Sequence, residues 1–191
     1  MISMGKIPSD RRYNYADYST WDDEFRCELI EGEVYLSESS LHKFPYIVGV
    51  LYLNLFNFTK ERDYKVVLAP CYVNLDGVDD CSYDENLYVQ PDLFVVCDKS
   101  KLDGKACIGA PDLVIEILSP STARIDMLKK FHAYQKAGVL EYWIVDPEGK
   151  TIDVFKLENG EYVGSEYIKD AVVKSHILEG CEIKLADVFE E

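Results

Sequence analysis

Asp92, in Gln90-Pro91-Asp92, and Glu116, in Asp112-Leu113-Val114-Ile115-Glu116, stand at the edge of one apolar run and inside another. The first run is Leu93-Phe94-Val95-Val96-Cys97; the second continues from Leu113 to Ile117-Leu118. Both runs read as buried strands. A charge isolated in such a run costs several kcal/mol or more, so each carboxylate must be paired, hydrogen-bonded or bound to metal. Two of them on strands close in sequence suggest a divalent-cation site. Each also has a structural alternative. Asp92 can cap a turn at a strand start, and Glu116 can form a buried salt bridge with Lys130 or Arg124.

The elements that would position these groups follow from spacing and punctuation. Ser19-Thr20 with Asp22, Asp23 and Glu24 reads as a short capped helix. Cys27 to Leu36 looks like a hairpin turning near Glu31-Gly32. Ser39 or Ser40 caps a helix running to about Lys60, with Tyr46, Val50, Leu53 and Phe56 at helical spacing. Pro45 fits only in that helix's first turn. Strands are expected at 65–68 and 71–75, and an acidic solvated loop from Asp76 to Asn86. A polar connection containing Gly104 and Gly109 joins the Asp92 strand to the Glu116 strand. A helix from about Ala123 to Ala137 ends at Gly138, a strand follows from Leu140 to Val145, and Asp146-Pro147-Glu148-Gly149-Lys150 has turn chemistry. Hairpin strands at 151–157 and 161–165 and a short turn near Leu185–Phe189 complete the order. Strands with two long helices interposed imply an α/β or α+β domain built on a mixed sheet.

Length and charge narrow the function classes. At 191 residues the chain is expected to form one domain over 18–191, preceded by a polar, loosely held arm over 1–17. It carries 20 Lys plus Arg against 35 Asp plus Glu, a net charge of −15, which opposes strong non-specific binding to nucleic acid. No apolar run approaches the roughly 18 residues of a membrane span. Met1 to Lys6 shows no apolar leader. Six cysteines at 27, 71, 81, 97, 107 and 181 include no Cys-x-x-Cys pair. A reducing cytoplasm with free thiols is the expected setting.

Several of these segments together resemble a known family. They are Gln90-Pro91-Asp92, Pro111 through Ser121, Asp126 with Lys130 and Tyr134, Ala137-Gly138-Val139, and Glu141 through Pro147. In that order they are similar to the Uma-type branch of the PD-(D/E)XK nuclease superfamily, known mainly from bacteria and especially cyanobacteria. The Glu28 to Glu33 segment and His42 fit its N-terminal pattern. The resemblance covers about residues 20–190. It implies an α/β fold with a restriction-endonuclease-like core, a mixed β-sheet flanked by helices, and Mg²⁺-dependent cleavage of phosphodiesters, with Mn²⁺ as a possible substitute and DNA as the expected partner.

Under that resemblance Asp92, Glu116 and the backbone carbonyl of Ile117 would bind metal. The parent pattern places a lysine two residues after the glutamate, where this chain has Leu118. The Uma-type pattern supplies instead a lysine on the following helix, four residues after an aspartate, as Lys130 follows Asp126. One turn apart, they share a face that Tyr134 continues. Lys130 would orient water or stabilise developing negative charge; beside Lys129 such a lysine is more often a solvated helix residue, and only its spacing from Asp126 raises it. Glu28, His42 and Asp126 are candidates for supporting positions around the metal. Glu28 could equally be an ordinary strand carboxylate, and His42 a partly buried structural histidine. Tyr142 and Trp143 are expected in the core, and His132 and His176 carry no functional expectation. Three functions remain open: a DNA endonuclease, a catalytically weak or inactive domain acting as an interaction or regulatory module, and a metal-dependent hydrolase of another phosphate ester. A homodimer is expected by analogy with other nucleases of this fold.

Overall fold

Near-continuous apolar runs within Leu93–Val96, Leu113–Ile117 and Glu141–Asp146 suit strands covered on both faces, and they form the centre of the molecule. The computed structural model describes residues 11–18, 20, 27–36, 44–77, 87–120, 123 and 125–190. In chain order the elements are α1 (Tyr15–Tyr18), β1 (Cys27–Ile30), β2 (Glu33–Leu36), α2 (Pro45–Thr59), β3 (Lys65–Leu68), β4 (Tyr72–Asn74), β5 (Leu87–Val89), β6 (Leu93–Val96), β7 (Ala106–Ile108) and β8 (Leu113–Ile117). Then come a π-helical turn (Ile125–Lys130), α3 (Phe131–Ala137), β9 (Glu141–Asp146), β10 (Thr151–Glu158), β11 (Glu161–Ile168), β12 (Val172–Lys174), β13 (Glu182–Lys184) and α4 (Leu185–Val188).

The mixed sheet is divided. Six strands run in the order β11-β10-β9-β8-β6-β3, five in the order β2-β1-β5-β4-β7, and β12 pairs with β13. Only β8 with β9 and β4 with β7 are parallel. The segment linking β8 to β9 contains the π-helical turn and α3, since parallel neighbours need a crossover. Alternation assigns the faces of the larger sheet. Leu93, Val95, Leu113, Ile115, Ile117, Trp143 and Val145 pack with Val48, Leu51 and Leu55 of α2. Burying each of those three α2 side chains contributes roughly 1.5–3 kcal/mol. Phe94, Val96, Val114, Tyr142 and Ile144 face the other way, toward Ala133 and Tyr134 of α3 and toward Ile30, Val73 and Val89 of the smaller sheet. Glu116, by parity, shares that second face.

Several boundaries differ from the expectations. α2 begins at Pro45, with Phe44 as its cap and proline in the first position, where the missing N–H costs nothing. The α region is disfavoured for the residue before a proline, and Phe44, with φ −131° and ψ 55°, lies outside it, so the helix starts at Pro45. Ser39, Ser40, His42, Arg124, Asp22 to Glu24 and most of the acidic loop lie outside the described residues. Within the expected helix over 123–137, Ala123 is α-helical, Ile125–Lys130 form a π-helical turn, and the helix closes at Gly138, whose φ of 85° is the left-handed cap glycine permits. β7 occupies the expected polar connection, and β12 and β13 were not anticipated; strands of three residues carry too few positions for a period. Of the arm expected over 1–17, residues 11–17 are described, and tyrosines among them are packed. Tyr13 is buried, its N–H donates to Gly32 O at 2.9 Å, and Tyr15 stacks on Tyr88 at 4.5 Å, because tyrosine rings bury large areas. Tyr142 and Trp143 are fully buried, as expected. No helix among the described residues is long and apolar enough to cross a membrane.

Candidate functional site

Between the larger sheet, α3 and the smaller sheet, the side chains on the second face of β8 meet a group of charges. β6 pairs antiparallel with β8 in the register Leu93↔Ile115. Continued by one residue, that register sets Asp92 across from Glu116, on the face that carries Phe94 and Val114. Asp92 Oδ2 accepts the Ile117 N–H at 2.8 Å, fastening the strand end beside Glu116. Ile117 thus meets Asp92 through its N–H, while its carbonyl was the expected ligand atom.

Lys130 is 3% exposed, so the solvated alternative does not hold. Its Nζ lies 2.9 Å from Glu116 Oε1, 3.0 Å from Glu28 Oε1 and 3.1 Å from Asp126 Oδ1. The structural alternative for Glu116, a salt bridge with Lys130, is therefore present, and it coexists with Asp92 at the same place. The Tyr134 hydroxyl donates to Glu116 Oε1 at 2.6 Å, and the Gln90 N–H donates to Glu28 Oε1 at 2.7 Å. Glu28 arrives from β1 in the smaller sheet, with Gln90 just after β5. The Tyr142 hydroxyl donates to the Asp126 carbonyl at 3.1 Å, tying the π-helical turn to β9. π-helical turns recur at functional sites; here the turn carries both Asp126 and Lys130 into the interior.

Four buried carboxylates, Glu28, Asp92, Glu116 and Asp126, thus accompany one buried ammonium among the described residues. Burial pushes the Glu116 carboxyl well above its ordinary range; Lys130 pulls it down, but Asp126, Asp92 and Glu28 add to the rise. Glu28 is raised by burial too, against the lowering effects of Lys130 and the Gln90 N–H. Burial alone would lower Lys130, yet Asp126, Glu116 and Glu28 outweigh it and hold the ammonium well above its usual range. Tyr134 is raised well above its ordinary value by burial and then by Glu116 and Glu28, so it stays a neutral donor.

The residues present fit a hard cation in two respects. Lys130 and Tyr134 both donate to Oε1 of Glu116, and no hydrogen bond among the described residues engages its Oε2. Asp126 Oδ1 is buried without a hydrogen bond among the described residues: Lys130 Nζ is close but off the bonding direction, so that contact is Coulombic. An excess of negative charge with an unbonded buried oxygen is a donor set that a hard ion satisfies. No three carboxylate, thiol or imidazole groups among the described residues converge tightly enough to hold a metal by themselves. Two carboxylates completed by other oxygens is the arrangement Mg²⁺ prefers.

The site thus brings Asp92, Glu116, Ile117, Asp126, Lys130 and Glu28 together, while His42 lies outside the described residues. Leu118, two residues beyond Glu116, packs into the second-face core, and Lys130 reaches Glu116 from the following helix instead. Sequence reasoning overlooked Gln90 as a backbone donor and Tyr134 as a hydroxyl donor. The position of Tyr134 one turn beyond Lys130 was the available signal for the latter.

Comparisons with known proteins find a family, a relative and a solved structure similar to this chain. The family model "Uma2: Putative restriction endonuclease" matches residues 15–186. An "Uncharacterized protein slr1290" from Synechocystis is 34% identical over 82 residues, a stretch covering 42% of this chain and 43% of that protein. The crystal structure of "a putative nuclease belonging to DUF820" from Anabaena variabilis shares the fold, with a TM-score of 0.73 over 92% of this chain and 97% of that one, at 20% identity.

Proposed function

This chain belongs to the Uma2 family and has the restriction-endonuclease-like fold, and from that premise we propose that it is a metal-dependent endonuclease hydrolysing DNA phosphodiester bonds. Asp92 and Glu116, with the Ile117 carbonyl, would hold Mg²⁺ or Mn²⁺; Glu28 and Asp126 would support the site by holding Lys130. When bound, the ion would polarise the phosphoryl oxygens and acidify the attacking water. Lys130 keeps its proton against three carboxylates and presents a fixed positive charge beside Glu116. Such a preorganised charge offsets the negative charge that develops on a phosphoryl group. Tyr134 orients the Glu116 carboxylate by holding Oε1, so that Oε2 is presented.

The observation carrying this reading is the 2.9 Å contact between Lys130 and Glu116, which supplies from a helix the lysine that the strand lacks at Leu118. A second reading, a catalytically weak domain acting as an interaction or regulatory module, is favoured by the near-complete burial of Lys130 and the net charge of −15. Calorimetric titration of Mg²⁺ and Mn²⁺ into the protein and into Glu116→Ala, followed by a plasmid-nicking assay on both, separates the two. Metal binding and nicking that disappear together in the variant support the nuclease. Binding without nicking supports the module or a different phosphate ester as substrate. Equal nicking by both proteins would sink the assignment of Glu116.

A further inference from the structure

The inner face of α2 buries Ile47, Val48, Leu51, Leu55 and Thr59. On the opposite face Tyr46, Gly49, Leu53 and Phe56 follow one another at three-, four- and three-residue steps. Tyr46 is 50%, Leu53 56% and Phe56 44% exposed. That stepping is the a/d pattern of a helix seam made to pack on another helix. Exposed apolar residues scattered singly are ordinary; a row of them along one helix is a contact surface. No charged residue occurs from Pro45 to Thr59, although Asp, Glu, Lys and Arg make up 29% of the chain. Among the described residues nothing requires a glycine at 49: a Cβ there would meet nothing within 4 Å. Glycine inside a helix is unfavourable relative to alanine, and the open space above it lies on the seam.

We propose that two copies of this chain associate through α2, antiparallel about a two-fold axis. In antiparallel packing an a position layers against a d position, so Gly49 of one copy faces Leu53 of the other, and Tyr46 faces Phe56. The space above Gly49 receives the leucine. A parallel arrangement would oppose Gly49 to Gly49 and leave a void. Charge selects the same direction. The Tyr46 hydroxyl lies 3.5 Å from Glu190 Oε2, and Lys60 occupies the next seam position beyond Phe56. Antiparallel packing brings Lys60 of each copy toward Glu190 of the other, whereas parallel packing brings Lys60 toward Lys60. Contact through a carboxylate-rich face would be repulsive for two chains of net charge −15 each; the uncharged seam avoids that cost. A helix of 15 residues spans about 22 Å, so this is a small isologous contact below about 1,200 Å² in total. The dimer is therefore weak and concentration-dependent. The inference is independent of the proposed nuclease activity.

Sedimentation velocity on the full chain between about 1 μM and about 1 mM reads the association directly. The expected result is a monomer–dimer equilibrium weakened at least about tenfold by Leu53→Glu and by Gly49→Glu. Leu53 is exposed and a Cβ at Gly49 would meet nothing within 4 Å, so both variants should unfold at temperatures close to that of the parent chain. Lys60→Glu should weaken the dimer, and adding Glu190→Lys should restore part of it. Val163→Glu, at an exposed apolar residue on β11, is the control and should change nothing. A chain that remains monomeric throughout overturns the proposal and leaves the seam to a different partner. A dimer indifferent to Leu53→Glu and Gly49→Glu overturns it as well, because another face then makes the contact.

Discussion

Lys130→Met keeps an unbranched apolar side chain at the site and deletes the ammonium that three carboxylates surround. Removing one partner of a buried ion pair costs roughly 3–5 kcal/mol, because the remaining charges are left uncompensated. That is a large share of the 5–15 kcal/mol typical of a folded domain. The carboxylates can escape part of the cost by binding protons, which gives the prediction a pH signature. Glu116 and Glu28 already have folded-state values above the ordinary carboxylate range. Below that range both folded and unfolded chains hold the protons, and no penalty applies. As the pH rises through the window between the ordinary and the raised values, the unfolded chain releases protons that the folded chain retains, so stability falls. Lys130, with its raised value, contributes its full stabilisation at neutral pH and loses it only on strongly alkaline titration. Without it, the two glutamates move still higher and the window widens upward. Urea unfolding of both proteins at pH 5 and pH 8 measures this. The expected gap is about 3–5 kcal/mol at pH 8 and distinctly smaller at pH 5. Adding Glu116→Gln to the variant should recover part of the loss, a coupling that neither single substitution predicts. A gap below about 1 kcal/mol at pH 8, or a larger gap at pH 5, would refute the charge-balance argument.

Two further substitutions test neighbouring parts of the structure. Tyr134→Phe removes one of the two donors on Glu116 Oε1 and should cost roughly 1.5–3 kcal/mol while lowering Mg²⁺ affinity; unchanged affinity in calorimetry would mean that Tyr134 does not orient the carboxylate. Glu141 is fully buried and accepts from Trp143 Nε1, Ser175 Oγ and the His176 and Ile177 N–H groups. Glu141→Gln turns an acceptor into a donor facing donors, with an expected loss of roughly 1.5–3 kcal/mol and an altered Trp143 near-ultraviolet signal; near-parent stability would show that this cluster can rearrange freely.

Much of the frame was legible locally. Period-two alternation in Leu113–Ile117 is enough to separate Glu116 from Ile115 and Ile117, and Pro45 and Gly138 mark one helix start and one helix end. The ordered motifs around Asp92, Glu116 and Lys130 carry the family resemblance by themselves. Such signals survive in a single sequence because they arise between residues a few positions apart. The site's charge state did not arise that way. Glu28 comes from a different sheet, and the strands supporting it, β5 and β4, are three residues each with no readable period. Lys130 follows another lysine, Lys129, and is distinguished from it only by burial: Lys129 stays exposed and pairs with Glu33, whereas Lys130 turns inward to three carboxylates. The sequence by itself determined which residue types could do the chemistry and which strand face Glu116 occupies, since both depend on near neighbours along the chain. Only the tertiary structure decided that three carboxylates share one ammonium out of water, because desolvation and the Coulomb terms it strengthens depend on which distant segments close over the same few ångströms.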